Sequence, residues 1–396
     1  MQKGTIMRIG IFGGSFDPIH SEHFYLGKRA VESLSLDKLI IMPAHTPPHK
    51  KGKSLTLDID RLEMCKLAFE SLEQAEISDY EITSGGISYT YLTCEYFKEK
   101  YPNAELFWLV GTDMLRDFPN WKYPERILNA VQLAVCARAE KAEWLRLEQD
   151  KFFKRFGKNF SVIDYNGKDI SSTMIRVLAG AGEDLSAFVG ESVAKYIQEK
   201  GLYKIPYASE ALSLLKTERK AHSLRVAYMA AKRAPSLGIP EKKAIEAALF
   251  HDCAKYLPIG HEYLRGFSLP ERVPAPVLHQ FTGAYLAKMR FGVTDEDVLN
   301  AIAYHTSGRE NMSTLEKLIF LADMLELDRD FEGVEELREK FWNVSDDLTE
   351  CITLALSRSL EFVESKGGEI YALTAQAANY YKKFSEKENK YDGNHK

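Results

Sequence analysis

The residues best suited to chemistry fall into two groups. In the first, an apolar run leads into Gly13-Gly14-Ser15-Phe16-Asp17-Pro18-Ile19-His20, and His23 follows three residues after His20. Paired glycines at the end of a first strand let a phosphate approach backbone N–H groups, and the next helix aims its positive end at the same place. Imidazoles three apart share a face of that helix's first turn, where they can donate to a phosphate becoming pentacoordinate. Far downstream, Ile170-Ser171-Ser172-Thr173-Met174-Ile175-Arg176 offers three hydroxyls at a helix N-cap and an arginine one turn later, a second anion cradle.

The second group comprises His222, the adjacent pair His251-Asp252, His279, His305 and Asp323. Asp323 follows the apolar run Leu318-Ile319-Phe320-Leu321-Ala322, where a carboxylate is costly unless paired or metal-bound. His251-Asp252 likewise follows Ala247-Ala248-Leu249-Phe250. Imidazoles and carboxylates from separate helices suit a hydrolytic metal that activates water and polarises a phosphoryl oxygen.

The elements that must position these groups differ between the halves. Strand-like runs at Met7–Phe12, Lys38–Met42, Leu106–Val110, Val131–Cys136 and Phe160–Asp164 alternate with helix-length segments, which predicts an α/β Rossmann-like domain on a parallel sheet. From about Ala208 the pattern becomes consecutive amphipathic helices punctuated by prolines, an all-α domain. The helix stop and proline in Lys200–Pro206 place the boundary, giving domains at 1–205 and 206–396. With 52 basic against 57 acidic residues, nothing draws the whole molecule to a nucleic acid, so polyanions must be met by local charge. Five cysteines without a CxxC pair suit a reducing cytoplasm, and no apolar run approaches the ~20 residues of a membrane helix.

The first half resembles the bacterial nicotinate-mononucleotide adenylyltransferases, nucleotidyltransferases with HxGH and ISSTxxR signatures. The resemblance rests on GGSFDPIH, ISSTMIR, Pro43–Lys50, Ile87-Ser88-Tyr89-Thr90 and Gly111–Leu115 with Phe118 and Trp121. It implies ATP over Gly13, Gly14, Ser15 and Phe16. The phosphates would lie near His20, His23, Lys50, Ser171, Ser172, Thr173 and Arg176, with Mg²⁺ on the leaving pyrophosphate. It also implies Trp121 stacked on the pyridine, with Thr90 and Asp113 shaping the pocket. Two positions depart from the family: Glu22 replaces the HxGH glycine, and Arg138-Ala139-Glu140 replaces Arg-Pro-Gly. A carboxylate at position 22 is expected to turn outward, or else to crowd the adenosine and repel phosphate. On that expectation Glu22→Gly raises turnover.

The second half resembles the YqeK-type HD phosphohydrolases over residues 208–390, through Arg219–Val226, His251–Lys255, His279 with Gly283–Leu286, His305–Arg309 and Leu321–Asp323. That resemblance implies symmetrical hydrolysis of diadenosine tetraphosphate to two ADP at a site holding iron or another transition metal. His222, His251, Asp252 and Asp323 would be the ligands, with Arg219, Lys255 and Thr306 contacting nucleotide. His279 and His305 would flank the polyphosphate or complete a second metal position, and spacing does not separate these roles. The whole reads as a bifunctional cytoplasmic enzyme acting on ATP, nicotinate mononucleotide and diadenosine tetraphosphate, with no nucleic-acid or membrane partner and with self-association open. The alternative is a first domain that senses nucleotide and regulates the hydrolase.

Overall fold

The computed structural model describes residues 6–47, 55–137, 142–269, 272–343 and 348–392. The chain divides into two compact units, Met1–Ile175 with Leu185–Leu202 and Arg176–Asp184 with Tyr203–Lys396.

The first unit is built on six strands, β1 (Arg8–Gly14), β2 (Lys38–Pro43), β3 (Ala75–Ile77), β4 (Glu105–Gly111), β5 (Gln132–Ala137) and β6 (Ser161–Asp164). They form one sheet in the order β3-β2-β1-β4-β5-β6, and every pairing is parallel. Strands covered on both faces read as continuous apolar runs, and Ile9, Ile11, Ile40, Leu133 and Val135 are fully buried. The order reverses between β1 and β4, so their carboxyl ends, Gly13-Gly14 and Gly111, border the crevice where such sheets bind ligands. The helices are α1 (Ser21–Leu34), α2 (Asp58–Phe69), α3 (Tyr80–Ser84), α4 (Thr90–Lys100), α5 (Thr112–Asp117), α6 (Pro124–Ala130), α7 (Ala142–Phe156), the start of α8 (Ser172–Ala181), whose residues from Arg176 on belong to the second unit, α9 (Ser186–Val189) and α10 (Glu191–Lys200). Gly201 caps α10 in the left-handed conformation, as the Lys200-Gly201 stop predicts.

Five of the six strands fall where the apolar runs predict them. The sixth, β3, has three residues at the sheet edge with none fully buried, too short and too exposed to register as a strand pattern.

Beyond Tyr203 the described residues form helices without a strand: α11 (Ala208–Ser213), α12 (Thr217–Arg233), α13 (Glu241–Phe250), α14 (Ala275–Met289), α15 (Glu296–Ala303), α16 (Thr314–Leu325), α17 (Val334–Asn343), α18 (Thr349–Ser365) and α19 (Ala372–Asp392). Small residues let α12 and α13 pack closely, since Ala227, Ala230, Ala231, Ala244, Ala247 and Ala248 are all fully buried in the core. Side-chain caps fix where the next helices begin. Asp295 accepts the Asp297 N–H at 2.9 Å at the start of α15, and Ser313 with Glu316 forms a capping box that starts α16.

Candidate active sites

In the first unit the two anion-binding motifs meet. His20 caps α1, and its ring centroid lies 3.7 Å from that of His23. The Ser172 hydroxyl donates to the Pro18 carbonyl at 2.9 Å, joining the start of α8 to the GGSFDPIH loop. Ser171 accepts the Met174 N–H at 3.2 Å and so caps the same helix, as the spacing predicts. Thr173 lies in its first turn, half-buried like Ser171 and Ser172. Glycine at position 13 has a steric cause, because a Cβ there would meet the Trp108 ring at 2.9 Å.

The loop is buttressed by residues that the sequence reading missed. Arg61, fully buried on α2, donates to the Ser15 carbonyl at 2.6 Å and the Thr56 carbonyl at 3.1 Å, and it pairs with Asp58. Asp58 in turn meets His45 Nδ1 at 2.5 Å. The available sequence signal was an Asp58–Arg61 pair one turn apart, followed by Met64 and Cys65 on the same helix. Thr46 bridges to Ile87, and the His45 N–H donates to Ser88 Oγ at 3.0 Å, which unites the segments Pro43–Pro47 and Ile87–Thr90. Asp113 lies exposed in the first turn of α5 beyond Gly111, Thr90 begins α4, and half-buried Trp121 packs 5.3 Å from Phe118.

Glu22 does not turn outward. It is 3% exposed, and its Oε2 accepts the Tyr165 hydroxyl at 2.5 Å and the Lys168 N–H at 2.9 Å. The outward turn fails because the loop after β6 supplies two donors to the carboxylate. Arg176 is bound in both directions by Glu241, Nε to Oε1 at 2.7 Å and an Nη to Oε2 at 2.8 Å. Lys50, with Arg138-Ala139-Glu140, lies outside the described residues.

In the second unit every predicted metal-site residue converges. His222 comes from α12, His251-Asp252 from the end of α13, His279 from α14, His305 from just beyond α15 and Asp323 from α16. His222 Nε2 lies 2.8 Å from Asp323 Oδ1, and His251 Nε2 lies 3.3 Å from Asp252 Oδ2 and 4.0 Å from Asp323 Oδ1. Asp252 Oδ1 stands 3.1 Å from His279 Nε2 and 3.6 Å from His305 Nε2. Two overlapping sets, His222 with His251 and Asp323, and His251 with Asp252 and His305, have their ligand atoms within 4.8 Å of one another.

The imidazoles are aimed by what their other nitrogens touch. His251 Nδ1 is 2.6 Å from the Ala248 carbonyl, His305 Nδ1 is 2.8 Å from that of Ile302, and His222 Nδ1 is 3.1 Å from Glu326 Oε1. Each Nε2 is thereby turned toward the centre. Glu326, a residue the sequence reading missed, is itself clamped by Arg225 at 2.6 Å, and its position one turn after Asp323 was the available signal. Gln280, fully buried, accepts the N–H groups of Thr306 and Ser307 at 3.1 and 3.0 Å and so sets the turn after His305. Of the predicted nucleotide contacts, Arg219 reaches Asp252 Oδ2 at 3.0 Å, Lys255 reaches His279 Nε2 at 2.9 Å, and Thr306 Oγ1 lies 3.3 Å from the same nitrogen.

The electrostatics are those of a cation site. Burial pushes Asp252 upward, but His251, His279 and His305 outweigh it and hold the carboxyl far below its ordinary range. Asp323 is held low in the same way, by its hydrogen bond to His222 and the charges of His251 and His305 against burial. Burial, with His305 and Lys255 nearby, lowers His279 to about 4 despite Asp252, which favours the neutral ligating imidazole. Burial also lowers Lys255 against the pull of Asp252 and Asp323. His251 Nε2 and Asp252 Oδ1 are buried without a hydrogen bond, an arrangement that is costly without a further partner. This orphaned nitrogen and oxygen, in a mixed imidazole and carboxylate donor set, fit a divalent metal ion.

Residues 11–178 match the cytidylyltransferase-like family, and residues 219–328 match the HD domain. A Clostridium botulinum protein named "probable nicotinate-nucleotide adenylyltransferase" is 40% identical over 198 residues, covering 50% of this chain and 98% of that relative. The chain belongs to the nicotinate-nucleotide adenylyltransferase family. Unlike that relative, this adenylyltransferase-family chain continues into an HD domain, which implies dependence on a divalent metal. A Mycoplasma genitalium protein named "probable nicotinate-nucleotide adenylyltransferase/Ap4A hydrolase" is 29% identical over 356 residues, covering 88% of this chain and 94% of its own. A solved structure from Clostridium acetobutylicum, titled as an HD superfamily hydrolase involved in NAD metabolism, is 38% identical over 44% of this chain and 94% of its own, at a TM-score of 0.41. No described helix is long and apolar enough to cross a membrane.

Proposed function

We propose that this chain is a bifunctional cytoplasmic enzyme. Residues 1–205 would join nicotinate mononucleotide to ATP, giving nicotinate adenine dinucleotide and pyrophosphate. Residues 206–396 would hydrolyse diadenosine tetraphosphate at its central phosphoanhydride to two ADP. The supporting observation is the coexistence, in one chain, of the linked GGSFDPIH and ISST motifs with the convergent His/Asp centre. Five buried free cysteines accord with a reducing compartment.

In the transfer reaction an oxygen of the mononucleotide phosphate attacks the α-phosphorus of ATP as the bond to the pyrophosphate oxygen breaks. The nucleophile is already ionised, so no general base is needed and the protein's task is positioning and charge neutralisation. His20 and His23 would donate to the phosphates, the Ser171, Ser172 and Thr173 hydroxyls would cradle them, and Trp121 would stack on the pyridine. By the family resemblance, Arg176 and Lys50 would add positive charge near the phosphates. Mg²⁺ bound to ATP would supply charge neutralisation for the leaving pyrophosphate.

At the HD centre His222, His251, Asp252 and Asp323 would hold the metal, iron in the reading we favour, with His279 and His305 beside them. The metal supplies an activated water and polarises a phosphoryl oxygen. Arg219, Lys255 and Thr306 border that centre and would contact the nucleotide through its flanking phosphates. Asp252→Ala in the full chain is expected to abolish metal retention and ADP formation while leaving nucleotide transfer intact. Metal analysis with chromatography of the products checks this, and retained hydrolysis would refute the ligand set.

A further inference from the structure

We propose that Glu22 is a positioning residue of the transfer site, a latch that ties the loop before Ser171 to the first turn of α1. The inference rests on the transferase reading above. The carboxylate is 3% exposed, and a single oxygen accepts both the Tyr165 hydroxyl at 2.5 Å and the Lys168 N–H at 2.9 Å, donors more than 140 residues away in sequence. Its place in the first turn of α1 suits an acidic side chain, which complements the helix's positive end.

The loop is shaped around this contact. A Cβ at Gly167 would meet Glu22 Oε2 at 2.2 Å and the Tyr165 ring at 2.4 Å, so any larger residue there drives the carboxylate off its donors. Two further contacts hold the same pair of elements. Arg29 of α1 donates to the Asp164 carbonyl at 3.1 Å, at the end of β6, and Ser172 donates to the Pro18 carbonyl just before α1. The segment Tyr165–Ile170 is therefore tethered before, within and after its length, and Glu22 supplies the tether within. Because that segment delivers Ser171 and Ser172, releasing it should degrade the phosphate cradle more than the pyridine pocket around Trp121. A carboxylate at the glycine position of HxGH is then compensated by Tyr165 and Gly167, and Glu22→Gly lowers ATP affinity where the sequence alone suggested a gain.

The test compares the full chain with Glu22→Gly, Tyr165→Phe and the double variant. Tyr165→Phe removes one donor without altering the backbone, so it remains informative if Glu22→Gly folds poorly. Hydrogen exchange at the Lys168 amide should quicken about tenfold in Glu22→Gly, the scale of one lost hydrogen bond to a charged group. The KM for ATP should rise by a similar factor with the KM for nicotinate mononucleotide unchanged, and Tyr165→Phe should add nothing in the Glu22→Gly background. Unchanged exchange, a raised kcat/KM in Glu22→Gly, or additive effects would overturn the latch. A wild-type chain that forms no dinucleotide would refute the transferase reading instead, while the exchange data would still decide whether Glu22 holds the loop.

Discussion

Asp252 and Glu326 show how single side chains divide the work of the HD centre. Asp252 sits among three imidazole nitrogens, and its buried Oδ1 makes no hydrogen bond, whereas Glu326 lies outside the centre and fixes the ring of His222. Burial raises Glu326, but Arg225 and the neighbouring donors outweigh it and hold the carboxyl down at about 2. Replacing it with glutamine keeps the shape and removes the charge that orients the imidazole. Glu326→Gln is therefore expected to weaken metal binding roughly 10–100-fold without removing a ligand. Titration of the metal-free protein checks this, and an unchanged affinity would show that His222 is aimed by packing alone.

Among the elements, α2 carries more of the first site than its sequence suggests. Arg61 is fully buried and holds two loop carbonyls and Asp58, so Arg61→Met leaves those acceptors and the half-buried Asp58 carboxylate without their cation. The expected loss is about 1–3 kcal/mol of stability, measured by denaturant unfolding followed through tryptophan fluorescence. A loss well under 1 kcal/mol would mean that water replaces the guanidinium.

The same scale shows what the sequence made legible. Five parallel strands and the helical second half follow from periodicity, because strands buried on both faces leave unbroken apolar runs. The HD residues were legible too, since Asp323 and His251-Asp252 each follow an apolar run. Arg61, Glu326 and Gln280 were not, because each acts through groups far away in the chain. Glu22 was visible as a departure, but its direction depended on Tyr165 and Lys168, and no local pattern links position 22 to those donors. β3 was missed because a three-residue edge strand has no period.

For the molecule as a whole, the account assigns two separate chemistries to two separately built centres. The proposed transferase centre would use hydroxyls, imidazoles and backbone at the sheet's switch point, and the proposed hydrolase centre would use imidazoles and carboxylates drawn from five helical segments. The measurement that tests this most directly is chromatography of the full chain incubated with nicotinate mononucleotide, ATP and Mg²⁺. The account predicts nicotinate adenine dinucleotide and pyrophosphate in equal amounts, despite the carboxylate at position 22. ATP bound without dinucleotide formation would contradict it and make the first unit a nucleotide sensor attached to the hydrolase.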